Sequence, residues 1–143
     1  MSEHELQAKN VEELIREGVP MAADLDLRID SVNKTGAVAR VPFHARLVRP
    51  GGTISGPAIM ALADAAMYAA ILGRLGRVEM AVTSNLNINF MQRPEPRDLI
   101  AEATLLKLGK RLAFCEVRLM SAGSDELVAH VTGSYSLPPQ KKE

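Results

Sequence analysis

Residues 51–72 read GGTISGPAIMALADAAMYAAIL, and the second part of that stretch decides the fold. From 57 to 72 every residue is apolar except Asp64 and the amphipathic Tyr68. A helix without a polar face has no side that prefers water, so this stretch predicts a buried helix, ended by Gly73 and Gly76. It is too short and too acidic at its centre for a good membrane span, which needs about 20 apolar residues. Downstream, 79–91, 98–108, 111–122 and 126–137 read as strands separated by 93–96, Gly109-Lys110 and 123–125, short turns that favour antiparallel neighbours. Leu86, Ile88 and Phe90 alternate with Asn85, Asn87 and Asn89, which gives one buried face and one wet face. Upstream, Leu25, Leu27 and Ile29 alternate with charges and lead through 33–36 into 37–43, a hairpin. Residues 4–17 suit a short amphipathic helix stopped by Gly18 and Pro20, a packing flap within 1–20, and 138–143 reads as a disordered tail. The chain, 1–143, is thus expected to be one α+β domain in which an antiparallel sheet wraps a central helix. One small sheet cannot enclose a helix on every side, so a homodimer is expected.

Composition narrows the function. Seventeen basic residues balance seventeen acidic ones, which argues against a nucleic-acid surface or an anionic-membrane surface, both of which need a basic excess. One Cys forms no intramolecular disulfide, and the start MSEHELQAKN lacks a signal-peptide pattern, so a cytoplasmic location is the default. His4, His44 and His130 are far apart and offer no metal-ligand spacing. There is no Gly-x-Ser-x-Gly elbow and no phosphate-binding Gly loop. His130 shares strand parity with Thr132 and Ser134 and is expected on the surface, while Cys115 is expected to be a structural thiol.

Asp64 is the residue that composition does not explain. Met60, Ala61, Met67 and Tyr68 share its helix face, and a carboxylate there is costly unless paired or hydrogen-bonded. Ser55 is a good N-cap, and the amides that follow it lack intrahelical partners, so the helix start is a place for developing negative charge. At about 1.5 Å per residue, Gly56 and Asp64 lie roughly 12 Å apart along one helix. A single reacting carbonyl must come within about 3 Å of both groups. If both act, they come from different subunits.

The order and spacing of GGTISGPAIMALADAAMYAA, VTSNLNINFMQRP, LGKRLAF and ELVAHVTGSYSL resemble a hotdog-fold acyl-CoA thioesterase of the phenylacetate-pathway type, over about 25–137. The resemblance implies a curved antiparallel sheet around the central helix, dimers that pair their sheets, and often a dimer of dimers. It implies that Asp64 is the catalytic carboxylate, that the Gly56 amide holds the oxyanion, and that Thr83 places the water. Strict alternation from Leu86 and Ile88 would instead turn Ser84 inward. Ser55 stands where the family commonly has His, Arg49 where it commonly has Asn, and Pro57 where it has a second Gly. Arg49 and Ser55 are therefore substrate-binding candidates, and family usage of the turns adds Arg93, Lys110 and Arg111 for the phosphates of CoA.

The activity implied is hydrolysis of a small or aromatic acyl-CoA to free acid and CoA, with no cofactor and no metal. A thiolate leaves without prior protonation, because thiol pKa values lie near about 8.5, so a carboxylate and an oxyanion donor suffice. Asp64 would act either as base or as nucleophile. Two rivals remain: an acyl-CoA hydratase or dehydratase on the same fold, which generally pairs the acid with a nearby His, and a non-catalytic acyl-CoA or aromatic-ligand binding protein.

Overall fold

The computed structural model describes residues 6–139. Its elements are α1 (Ala8–Gly18), α2 (Pro20–Asp24), β1 (Arg28–Asn33), β2 (Gly36–Val41), α3 (Gly56–Leu75), β3 (Val82–Phe90), β4 (Leu99–Leu108), β5 (Leu112–Ser121) and β6 (Ala129–Ser136), with one 3-10 turn at Ala45–Leu47. All six strands form one antiparallel sheet in the order β1-β2-β4-β5-β6-β3. The inner face packs on α3, whose ten buried residues include Leu62, Met67, Ile71 and Leu72. This is the expected architecture. By length and composition α3 could cross a membrane, but every strand of the sheet packs against it, so its apolar surface is used inside the fold.

Three expectations need correction. Gly73 does not end the helix; α3 runs on to Leu75, and Gly76 (φ 86°) is the C-cap. Gly73 is small for a packing reason, since a Cβ there would lie 3.0 Å from Cβ of Val32 on β1. The short connection 91–98 does not join neighbouring strands. β3 pairs with β6 at the sheet edge, and the chain crosses back over the strand ends to β4, held by Met91 N–H to Val128 O and by Glu95 N–H to Ser121 Oγ. β4 and β5 form the centre of the sheet, and β2 takes β4 as its second partner. Finally, Pro20 starts a second short helix rather than only stopping the first.

The N-terminal segment is clamped rather than loose. Arg16 donates to Asp26 Oδ1 at 2.9 Å and to the Leu27 carbonyl at 2.8 Å, and Glu12 accepts from the Ile29 amide at 2.8 Å. The Arg16 guanidinium, helped by Arg28, holds the Asp26 carboxyl below the usual carboxylate range. The expected helix over 4–17 begins at Ala8; positions 4 and 5 lie outside the described residues, as do 140–143 of the expected tail.

Close approach of β6 to α3 depends on Gly133, where a Cβ would lie 2.8 Å from both Asn85 O and Met67 Sδ. The Asn85 carbonyl belongs to the sheet backbone and has little room to yield. Gly133→Ala is expected to destabilise the fold by about 1–3 kcal/mol, the usual cost of overpacking, measured as a lower urea midpoint with an unchanged slope.

Candidate active site

Asp64 lies in the third turn of α3, half-buried, with its carboxylate turned to β3 and β6. Its Oδ1 accepts from the Thr83 hydroxyl at 2.8 Å and from the Tyr135 hydroxyl at 2.6 Å. The Tyr135 oxygen is also 3.1 Å from the Asp64 carbonyl, but its single hydrogen favours the shorter, charge-assisted bond. Oδ2 has no partner among the described residues. One oxygen is thus anchored and the other is available. Two donors on one oxygen offset much of the cost of placing a carboxylate on an apolar face.

Thr83 reaches Asp64 because of a backbone irregularity. β3 pairs with β6 through Leu86↔Gly133, Ile88↔Val131 and Phe90↔Ala129, and these positions face α3. Between Thr83 and Asn85 the register shifts, so Ser84 is an extra residue and Thr83 pairs with Tyr135. The bulge reverses parity. Thr83 therefore points inward and Ser84 does not, contrary to strict alternation.

Tyr135 is a site residue that the sequence reading missed. It shares inward parity with Ala129, Val131 and Gly133, which marks it as core, but its link to Asp64 spans 71 positions and has no local signal. Burial, followed by the nearby Asp64 charge, pushes its hydroxyl far above the usual tyrosine range, so it remains a donor. Its ring stacks on Tyr68, with centroids 5.8 Å apart and planes 12° apart, and the Tyr68 hydroxyl donates to the Glu79 carbonyl at 2.8 Å.

The other end of α3 is built by 48–55. Gly51 and Gly52 both take positive φ, 99° and 79°, which closes a tight turn between the bridged residues Val48 and Ile54. Ser55 caps the helix, its Oγ accepting from Ala58 N at a long 3.4 Å. The Gly56 amide has no partner among the described residues, and Pro57 has no N–H. Phe90, at the far end of β3, covers this turn; a Cβ on Gly56 would lie 3.6 Å from its ring. β3 therefore spans both groups, Thr83 beside Asp64 and Phe90 beside Gly56. Within one chain the two groups are not brought together.

The candidate cations are all exposed and divide between the two ends of the sheet. Lys110 and Arg111 lie near the Thr83 end: the Arg111 carbonyl accepts from Leu137 N–H, next to Ser136, which pairs with both Leu112 and Val82. Arg93 follows Phe90 at the opposite end, about 27 Å along the strand. Arg49 is on the loop before α3. His130 lies on the outer face and pairs with Glu116 at 2.9 Å, and burial pushes the Cys115 thiol up to about 12. Among the described residues no cluster of His, Cys, Asp and Glu could hold a metal ion.

A hotdog sheet around one helix, with a carboxylate facing its edge strand, defines a class, and comparison places the chain within it. The thioesterase superfamily model matches residues 51–128. A crystal structure from Silicibacter sp. TM1040, described as a candidate thioesterase, is 39% identical, covers 94% of this chain and 93% of that one, and superposes with a TM-score of 0.84. The phenylacetic acid degradation protein PaaI of Thermus thermophilus, solved as a mutant, is 27% identical, covers 82% of this chain and 97% of that one, and has a TM-score of 0.71. A Thermoplasma acidophilum protein described as a candidate esterase is 25% identical over 112 residues, 78% of this chain and 83% of that protein. The chain belongs to the thioesterase superfamily, and its class of activity is hydrolysis.

The raised Tyr135 pKa has a sign that can be checked. Tyr135 contributes full stability below pH 10, the ordinary value, and that contribution is lost as pH rises above it, because the unfolded chain releases the proton first. The stability advantage of the wild type over Tyr135→Phe is expected to be constant from pH 7 to 9 and to shrink above 10, followed by urea unfolding.

Proposed function

We propose that this protein hydrolyses acyl-CoA thioesters at a site completed by a second copy of the chain. The observation that carries the reading is the carboxylate held by Thr83 and Tyr135 on Oδ1 with Oδ2 free. Thr83 spends its hydrogen on Asp64 and keeps lone pairs for a water beside Oδ2. Asp64 takes a proton from that water, whose oxygen attacks the thioester carbonyl. The Gly56 N–H of the second copy receives the oxyanion. Collapse breaks the C–S bond, and CoA leaves as a thiolate with a pKa near about 8.5.

The sheet edges support the two-copy arrangement. β1, at one edge, is blunted by Arg28, Asp30 and a bulge. β3, at the other, has nine residues, is unpaired on its outer side among the described residues, and presents exposed Val82, Phe90 and Met91. Antiparallel pairing of two β3 strands centred on Asn87 matches inward Leu86 to inward Ile88 of the second copy. Beyond the extra residue Ser84, Thr83 then comes level with Phe90 of that copy. Asp64 lies beside Thr83 and Gly56 beside Phe90, so the same register brings the two groups to one place. It also joins Lys110 and Arg111 of one chain with Arg49 and Arg93 of the other, a set of cations suited to the phosphates of CoA, and adds the Ser55 hydroxyl as a hydrogen-bonding group.

Two experiments test this. Asp64→Asn is expected to reduce thiol release about 10²–10⁴-fold, in a protein of unchanged size on a sizing column; retained turnover would sink the reading. If CoA still binds while no thioester of any chain length is cleaved by the wild type, the protein is a binding module. Gly56→Pro removes the amide, and Ser55 at ψ 151° already suits a following proline. Co-expressed with Asp64→Asn, it should restore about a quarter of wild-type activity, since half the dimers are mixed and each has one intact site. No recovery would place the whole site within one chain.

A further inference from the structure

We propose that the α1–α2 unit is the far wall of the acyl pocket and sets the length of acyl chain accepted, which makes the substrate class medium-length, uncharged apolar acyl groups. This deepens the thioesterase reading and rests on it. A cavity of about 610 Å³ opens between the N-terminal helices and α3, with Asp64 and Thr83 at its inner wall. That volume lies within the range of about 300–1,000 Å³ typical of sites that enclose drug-sized ligands, and it is far more than an acetyl group fills. Leu14, Gly18, Met21 and Leu25 face Ala61 and Ala65 across it.

The occupant follows from continuity and charge. An acyl chain whose carbonyl sits at Asp64 has an apolar channel leading away from the reacting carbon. The charged side chains of the lining are Asp64 and Glu79, both acidic, with Glu79 held ionised by Arg77. No cation lines the cavity among the described residues, so a terminal carboxylate on the acyl group would be buried unpaired. The wall is rigid enough to discriminate, because Arg16, Asp26 and Glu12 tie α1 to the start of β1. Each methylene buried is worth about fourfold in binding, so the length of the channel is read as a steep profile against chain length.

Gly18 gives a clean test. It lines the cavity at the end of α1, its φ is not positive, and a Cβ built on it meets nothing within 4 Å. In Gly18→Leu the kcat/KM ratio of dodecanoyl-CoA to butyryl-CoA is expected to fall at least about tenfold, and in Leu14→Ala to move the other way. Thermal melts of both variants confirm that they are folded. Ratios unchanged in both folded variants, or succinyl-CoA turned over as well as octanoyl-CoA, would overturn the proposal. Binding of the uncharged apolar dye N-phenyl-1-naphthylamine gives a second readout that does not need turnover. If the wild type cleaves no thioester but binds the probe, and Gly18→Leu weakens that binding about tenfold, the thioesterase reading fails and the pocket stands. No probe binding by the wild type overturns the pocket.

Discussion

A helix that is apolar on every side has to be covered on every side, and the rest of this structure follows from that requirement. The sheet supplies one half of the cover, approaching closely because Gly73 and Gly133 leave room where Val32 and Met67 sit. The clamped α1–α2 unit packs on part of the other half without closing over Asp64 and Ala65, which leaves a cavity there. Exposed Met60, on the same helix, marks surface that one chain does not cover. Incomplete cover in a single copy therefore produces both an apolar pocket and an unpartnered surface.

A carboxylate in that setting stays only if its charge is met, and the fold meets it on one side alone. Tyr135 and Thr83 come from adjacent strands and converge on Oδ1, which fixes the rotamer and leaves Oδ2 toward the cavity. Asp26 also accepts twice on Oδ1, from Arg16 and Arg28, so what sets Asp64 apart is that its donors are neutral hydroxyls rather than guanidinium groups. Asp98 likewise faces a cation, with Oδ1 accepting from the Phe43 amide and Oδ2 paired with Arg40.

The helix, the strands and the burial of α3 were legible because hydrophobic period is a local property. All four strands after the helix fall inside the stretches that alternation marks, with ends trimmed by a few residues. Strand order was less legible: 93–96 has the composition of a turn, and nothing in it says that the chain crosses over β6 and β5 instead of reversing. Asp64 stood out because its helix has almost no other polar residue. Tyr135 did not stand out, since an inward tyrosine in a strand is ordinary core until the sheet brings it to the helix. The choice between Thr83 and Ser84 depended on a bulge, which shifts every parity argument on one side of it and leaves no composition signal in VTSN.

The bulge does more than correct a parity. Without Ser84 as an extra residue, the inward face of β3 would carry Ser84, Leu86, Ile88 and Phe90 in unbroken alternation, and Thr83 would turn to solvent. With it, Thr83 and Phe90 both face α3 despite opposite parity, at the two ends of one strand. In a self-pairing edge strand those ends meet across the twofold axis. On the two-copy reading, then, the irregularity that fastens Asp64 is also what makes the strand's two inward ends match. One inserted residue would couple the geometry of the carboxylate to the geometry of assembly.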